Sequence, residues 1–159
     1  IIPRGMALGV THQLPLDDRH IYTEDYLLKK ITVLLGGRVS EELIFNMLSS
    51  GASDDLKRAT QIAKKMVCEF GMSKSLGPLT YGKTEEQVFL GKELFQLKDY
   101  SEETARLIDL EIRNIVTECY QKAKTILTTY IDKLHLVANT LLEEETIEAE
   151  RFKLLLQGN

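Results

Sequence analysis

Two neighbouring aspartates, Asp54 and Asp55, are the residues of this sequence best suited to chemistry. They stand in the stretch SSGASDDLKRAT, residues 49–60, where small residues lead into a helical pattern. The dipole of a helix favours acidic side chains in its first turn, by roughly 0.3–1 kcal/mol each. The residues alone therefore favour a structural role, with Ser53 as the predicted N-cap. The alternative is that one of the two carboxylates binds a ligand.

Histidines offer a weaker second candidate. The three histidines, His12, His20 and His135, show neither H-x-x-x-H nor H-E-x-x-H spacing. His12 lies in a candidate strand, and His20 follows Asp17 and Asp18 in a polar loop. A site built from these two histidines and an aspartate stays open as an alternative, although nothing in the spacing fixes its geometry. We predict that His135 is a surface or packing residue.

Composition and charge narrow the function classes. The 159-residue chain is 43% hydrophobic and 28% charged, which is typical of one globular domain with its own core. Its net charge of −4 and the absence of a Lys/Arg cluster argue against nucleic-acid binding. Cys68 and Cys119 both fall on apolar helical stripes, so we predict buried free thiols rather than a disulfide. Neither cysteine has the spacing of a zinc site.

A second motif, GPLTYGKT at residues 77–84, matches the phosphate-loop pattern G-x-x-x-x-G-K-[ST]. A working phosphate loop leaves a buried strand and opens a helix, whose N-terminus helps to hold the phosphates. Here a helical pattern ending at Gly71 precedes the match, and the residues VFL after it favour a strand. We interpret the motif as a glycine-bounded turn and retain nucleotide binding as a rival interpretation.

Hydrophobic periodicity predicts a mainly α fold with a minor β element, which must position these residues. The β element consists of an edge strand near 6–14 and a hairpin near 79–90. In the helix predicted over 38–48, the inward residues are Val39, Leu43, Ile44 and Met47, and Arg38 could pair with Glu42. The other predicted helices run from an N-cap at Thr23 to the Gly36–Gly37 pair, from Ser53 to Phe70, over 101–130, from a cap at Asp132 onward, and over about 148–156.

The order of several strings closely resembles the protease domain of the FtsH family, the membrane-anchored, ATP-dependent zinc proteases. The strings that carry the resemblance are IIPRGMALGVTHQLP, GGRVSEEL, SSGASDDLKRAT, LGPLTYG and SEETARLIDLEI. The resemblance covers nearly the whole chain and weakens only after about residue 145. It implies a helical protease domain, in which strand 6–14 is an edge to which an extended substrate can add.

The resemblance also implies a role for particular residues. In the family, zinc is held by the two histidines of an H-E-x-x-H helix and by an aspartate further along, which matches Asp55. Asp54 then acts mainly on the helix dipole. Glu41, in GGRVSEEL, matches a glutamate close to the metal, and we expect it to orient a ligand histidine. Three protein ligands leave a fourth zinc position for water, as catalytic sites require.

The sequence departs from the family in one respect. It contains no H-E-x-x-H, so two zinc ligands and the catalytic glutamate are absent, and no catalytic residue is assigned in this chain. In the family that helix lies just before the IIPRG string. We therefore expect residues 1–159 to be the C-terminal portion of an FtsH-type peptidase domain, cut short at its N-terminus and inactive alone. ATP would be bound by an upstream module that this sequence does not contain.

The resemblance implies a parent that degrades unfolded and membrane proteins as a homo-hexamer. The parent would be anchored in a membrane through an N-terminal segment, with the protease domain on the cytoplasmic side or its organelle equivalent. One rival function is non-catalytic, namely a helical oligomerisation domain from an inactive homologue that has lost the zinc motif. The other rival is the nucleotide-binding protein suggested by GPLTYGKT.

Overall fold

The computed structural model describes residues 2–4, 7–10, 21–82 and 100–157, and these form six helices and two short strands. The mainly α prediction is confirmed. The helices are α1 (Glu24–Leu34), α2 (Gly36–Phe45), α3 (Ser53–Cys68), α4 (Glu102–Thr129), α5 (Ile131–Glu144) and α6 (Ala149–Gln157), and the strands are β1 (Ile2–Arg4) and β2 (Ala7–Val10).

The chain divides into two compact units. One comprises Tyr22–Lys124, and the other comprises Ile1–Ile21 together with Thr125–Asn159. Asp54, Asp55 and Glu41 all belong to the first unit, so this unit carries the candidate site. No helix among the described residues is both long and apolar enough to span a bilayer.

The core of the first unit is formed where α1 lies against α3. Leu27, Ile31 and Leu35 recur every four residues and are 0–5% exposed, so they form one apolar stripe. The stripe meets Ala59 and Ala63, both fully buried, whose small side chains let the two helix backbones approach closely. This packing fixes the rotation of α3 about its own axis.

Helix α4 closes the same core with Cys119, whose Sγ donates a hydrogen bond to the Leu28 carbonyl over 3.5 Å. A neighbouring cluster contains Val67, Cys68, Leu76 and Ile108. Both cysteines are buried and free of disulfides, as predicted. Burial raises the pKa of each thiol above its ordinary value of 9.0. The helix predicted over 101–130 is confirmed to within one residue at each end.

Several predicted helix boundaries and faces were wrong. Thr23 does cap α1, since its Oγ1 accepts from the Tyr26 N–H over 3.3 Å. Ser53, however, is the first residue of α3, and the N-cap position holds Ala52, which cannot cap with a side chain. Asp132 lies in the first turn of α5, not at its cap.

The glycine pair was predicted to separate two helices, but helix α2 begins at Gly36. Leu35 is the single residue that separates α1 from α2. Its predicted inward face is buried only at Val39, which is 0% exposed. Ile44 and Met47 are 36% and 58% exposed, so the prediction that they point inward was wrong. Asn46 ends α2 in the left-handed conformation, with φ 49° and ψ 34°.

The described part of the phosphate-loop match, residues 77–82, forms neither a helix nor a strand: Gly77 makes an isolated antiparallel bridge with Ser73, and bends or irregular backbone follow. In the described residues before it, α3 ends at Cys68 and no strand leads in. Gly71 and Gly77 have positive φ angles of 60° and 74°, which favour glycine. The Tyr81 hydroxyl donates to the Leu76 carbonyl over 3.0 Å and holds the turn together. Lys83, Thr84 and most of the predicted 79–90 hairpin lie outside the described residues, and residues 79–82 form no strand.

In the second unit, β1 and β2 pair antiparallel, with Ile2 opposite Val10 and Arg4 opposite Ala7. Strand β2 lies inside the predicted strand 6–14, whose residues 11–14 lie outside the described part of the chain. Helix α6 packs on α5, where Arg151 donates two hydrogen bonds to Glu144, of 2.7 and 3.1 Å. His135 is exposed on α5, as expected for a surface residue.

Candidate functional site

Asp54 and Asp55 face different surroundings although they are neighbours in the first turn of α3. The Asp54 side chain is 80% exposed, and its carboxylate lies 3.7 Å from the Lys57 ammonium. Asp55 is half-buried, and no hydrogen bond or ion pair engages its carboxylate within residues 21–82 and 100–157. Asp54 is therefore an ordinary solvated helix-start residue, whereas Asp55 keeps its acceptor oxygens available.

Helix geometry explains the difference. Ala52 and Ala59, which are 7% and 0% exposed, lie three residues before and four residues after Asp55. Residues at these spacings share one face of a helix, so Asp55 borders the buried stripe of α3. Asp54 is rotated from it by roughly 100° and points to solvent. The packing of α3 thus selects which of the two aspartates is held at a protected edge.

The loop before α3 is tied back to α2 through Glu41. One oxygen of the Glu41 carboxylate accepts from the Ser49 hydroxyl over 2.5 Å, and the other accepts from the Ser49 N–H over 3.3 Å. Arg38, one turn before Glu41, donates to the Ser49 carbonyl over 3.1 Å. Two charged side chains of α2 therefore hold the loop in place by hydrogen bonds.

The predicted Arg38–Glu42 pair was wrong. Arg38 turns to the loop, and Glu42 instead accepts from Lys124 on α4 over 2.7 Å. The side chains of this pair are 39% and 29% exposed, so solvent screens it only in part. This ion pair links α2 to α4.

The donor set fits one position of a zinc site. A carboxylate on a rigid helix is a normal zinc ligand, but a catalytic site needs three protein ligands. Within the described residues no group of three His, Cys, Asp or Glu side chains comes together. Among the carboxylates discussed above, Asp55 has the chemistry and the rigid position that one zinc ligand needs.

The remaining predicted residues stay untested. His12, His20, Asp17 and Asp18 lie outside the described residues, so the alternative site built from them also stays a prediction. Sequence reasoning missed Ser49 as the partner of Glu41. No spacing rule links a helix residue to a loop residue eight positions later, because the loop conformation alone brings them together.

Comparison with known proteins gives a consistent result. The model of the peptidase family M41 matches residues 1–155. The chain is 54% identical over 158 residues to a protein of Pseudothermotoga lettingae and 52% identical over 157 residues to one of Bacillus subtilis. Each is named ATP-dependent zinc metalloprotease FtsH. These alignments cover 99% and 98% of this chain but only 25% of each relative. The chain spans about a quarter of the length of the curated relatives it matches.

Proposed function

This chain belongs to the peptidase family M41, and we propose that it forms the C-terminal portion of the zinc-dependent peptidase domain of an FtsH-type, ATP-driven protease. The observation that carries the proposal is the placement of Asp55. Its half-buried carboxylate stands at the start of a rigid helix and is uncommitted within the described residues. It occupies the position in the string GASDDL at which the family resemblance expects a zinc ligand.

In the proposed site, Asp55 provides one ligand, and two histidines of an H-E-x-x-H segment outside this chain provide the others. Zinc held in this way would polarise a peptide carbonyl and lower the pKa of a bound water, which is the chemistry of a metallopeptidase. The contribution of this chain is to hold the Asp55 carboxylate at a fixed point. The α1–α3 core supports this, because ligands on rigid elements keep their geometry better than ligands on loops.

Glu41 is proposed to lie close to the metal and to orient a ligand histidine. Its two oxygens accept from Ser49, but each carboxylate oxygen has two lone pairs, so an imidazole N–H can still be accommodated. A hydrogen bond to the non-ligating nitrogen would fix the ring and strengthen the ligand. Glu41 would then connect the loop and the metal site.

The wider properties of the parent are part of the same proposal. Relatives named as ATP-dependent zinc metalloproteases support an ATP-binding module and protein substrates in the parent. We propose that the parent assembles as a homo-hexamer, is anchored in a membrane by a segment outside this chain, and has its peptidase domain on the cytoplasmic side or its organelle equivalent. Unfolded and membrane proteins are its proposed substrates.

The test compares Asp55→Ala with Asp54→Ala in the complete protease, in which the H-E-x-x-H segment is present. Asp55→Ala leaves two protein ligands, so zinc measured by atomic absorption after gel filtration should be lost together with ATP-dependent casein degradation. Asp54→Ala should keep both and lose at most about 1 kcal/mol of stability, because it gives up only a dipole contribution and an exposed ion pair.

The matched pair guards against a general helix-start defect, which would affect both variants alike. Full zinc and activity in Asp55→Ala would contradict the ligand assignment. A parent that binds no zinc and degrades nothing even as wild type would favour the non-catalytic oligomerisation domain instead.

A further inference from the structure

We infer that Ser49 is a positioning residue for the Asp55 carboxylate, because it fixes the loop from which α3 begins. The inference rests on the proposed function, since it takes Asp55 as a metal ligand. Ser49 would act through the loop backbone and not as a ligand.

The loop between α2 and α3 needs an anchor. Residues 46–51 are all exposed, so apolar burial does not hold them. Segments with few buried contacts open locally at little free-energy cost. Helix α3 also lacks a side-chain cap, because Ala52 occupies its N-cap position. The start of α3 is therefore fixed by the loop rather than by a capping side chain.

Ser49 supplies the anchor through four hydrogen bonds. Its hydroxyl donates to Glu41 over 2.5 Å and accepts from the Gly51 N–H over 3.1 Å, which uses the donor and one acceptor of a hydroxyl. Its backbone N–H donates to Glu41 over 3.3 Å, and its carbonyl accepts from Arg38 over 3.1 Å. The bonds to charged partners are stronger than neutral ones.

The path from Ser49 to α3 is short and runs through backbone hydrogen bonds. The Ser50 carbonyl accepts from the Ser53 N–H over 3.1 Å, and the Ala52 carbonyl accepts from the Leu56 N–H over 3.0 Å. Each bond joins the loop to the first turn of α3, which contains Asp55. A shift of the loop is therefore passed to the ligand residue without an intervening flexible side chain.

Gly51 provides independent evidence that the loop backbone packs closely against the Glu41–Ser49 hydrogen bond. A Cβ at this position would lie 3.2 Å from the Ser49 Oγ and 3.8 Å from the nearer Glu41 oxygen. Glycine thus lets the loop backbone approach the Glu41–Ser49 hydrogen bond. An alanine there would press on the same hydrogen bond that Ser49→Ala removes.

The experiment measures zinc affinity in the complete protease by competition with a chromophoric chelator, with Zn²⁺ as the probe. Ser49→Ala should raise the zinc Kd by roughly threefold to tenfold. This is a smaller loss of affinity than the 10–100-fold that is typical when a direct partner of a metal ligand is removed. Ser49→Thr, which keeps the hydroxyl, should stay within about twofold of wild type. Ser50→Ala is the matched control, since the Ser50 hydroxyl makes no hydrogen bond within the described residues.

Hydrogen exchange separates positioning from a loss of fold. In Ser49→Ala the amides of residues 49–53 should exchange faster, while those of Ala63 and Met66 in the core of α3 keep their protection. A Kd unchanged from that of Ser50→Ala would overturn the inference, and so would faster exchange throughout α3. A double variant that combines Ser49→Ala with Glu41→Ala should bind zinc no more weakly than Glu41→Ala alone. Fully additive losses of zinc affinity would count against a shared path.

Asp55→Ala is included in the same series to separate the two proposals. Zinc lost in Asp55→Ala but unchanged in Ser49→Ala would reject the positioning role and leave the ligand assignment intact. Zinc retained in Asp55→Ala would reject the ligand assignment, and the positioning inference would fall with it.

Discussion

Ile31 belongs to the apolar stripe that orients α3, and its replacement gives a sharp prediction. Its side chain is 0% exposed and lies at the centre of the stripe that packs against Ala59 and Ala63. Ile31→Ala removes three carbons, worth roughly 2.4 kcal/mol at about 0.8 kcal/mol per buried methylene. The cavity that remains adds to this, so the expected loss is about 3 kcal/mol, within the usual 2–5 kcal/mol for such changes.

The assay is amide hydrogen exchange of α1 and α3 in the complete protease, because exchange reports the stability of these two helices residue by residue. A loss of about 3 kcal/mol corresponds to faster exchange by on the order of a hundredfold at 1.36 kcal/mol per tenfold. Ile31→Val should show an intermediate effect of roughly 0.5–1.5 kcal/mol.

Val33 supplies the matched control, since it lies two residues away on α1 and is 58% exposed. Val33→Ala should change stability by no more than about 0.5 kcal/mol. If Ile31→Ala and Val33→Ala alter exchange in α3 equally, the α1–α3 stripe is not what holds α3. Core packing would then not be what selects Asp55 over Asp54.

Two further predictions concern the turn after α3 and the buried thiols. Gly71→Ala should lower the thermal midpoint of the protein more than Gly77→Ala does. Both glycines have positive φ, but only a Cβ at Gly71 would come within 3.1 Å of the Pro78 backbone. Equal shifts of the midpoint would contradict this prediction. Burial raises the pKa of Cys119, so the folded state holds its proton more tightly, and stability should fall as the pH rises above about 9 towards the raised pKa. Denaturant midpoints of Cys119→Ala should show less of this decline, and an identical pH dependence would argue against the thiol as its source.

The sequence predicted features that follow from periodicity and missed those that depend on loop conformation. The stripe of α1 and the length of α4 could be read from apolar spacing, because burial on one face imposes a 3.6-residue period. The prediction of Ser53 as N-cap was off by one residue, since the best capping residue type does not decide where a helix begins. The inward assignment of Met47 also could not hold, because α2 ends at Phe45 and the period ends with it.

The candidate site shows the same division. Asp55 could be distinguished from Asp54 only through the family resemblance, since both are acidic residues in one helical turn. The structure adds a physical difference, namely burial at the edge of the core for one and an exposed ion pair for the other. The Glu41–Ser49 contact could not be predicted, because it depends on the turn that Asn46 makes in its left-handed conformation.

The placement of a ligand on a helix requires control of both rotation and position along the axis. Rotation of α3 is set by Ala59 and Ala63 against α1, and the point at which α3 begins is set by the loop that Ser49 anchors. If the first turn of α3 unwound, Asp55 would leave its helical position while Ala59 and Ala63 kept theirs, because the two alanines lie four and eight residues further along the helix. Loss of Ile31 should therefore loosen α3 as a whole, whereas loss of the Ser49 hydroxyl should disturb only its first turn. The two perturbations reach the same carboxylate by separate routes, and exchange in the middle of α3 distinguishes them.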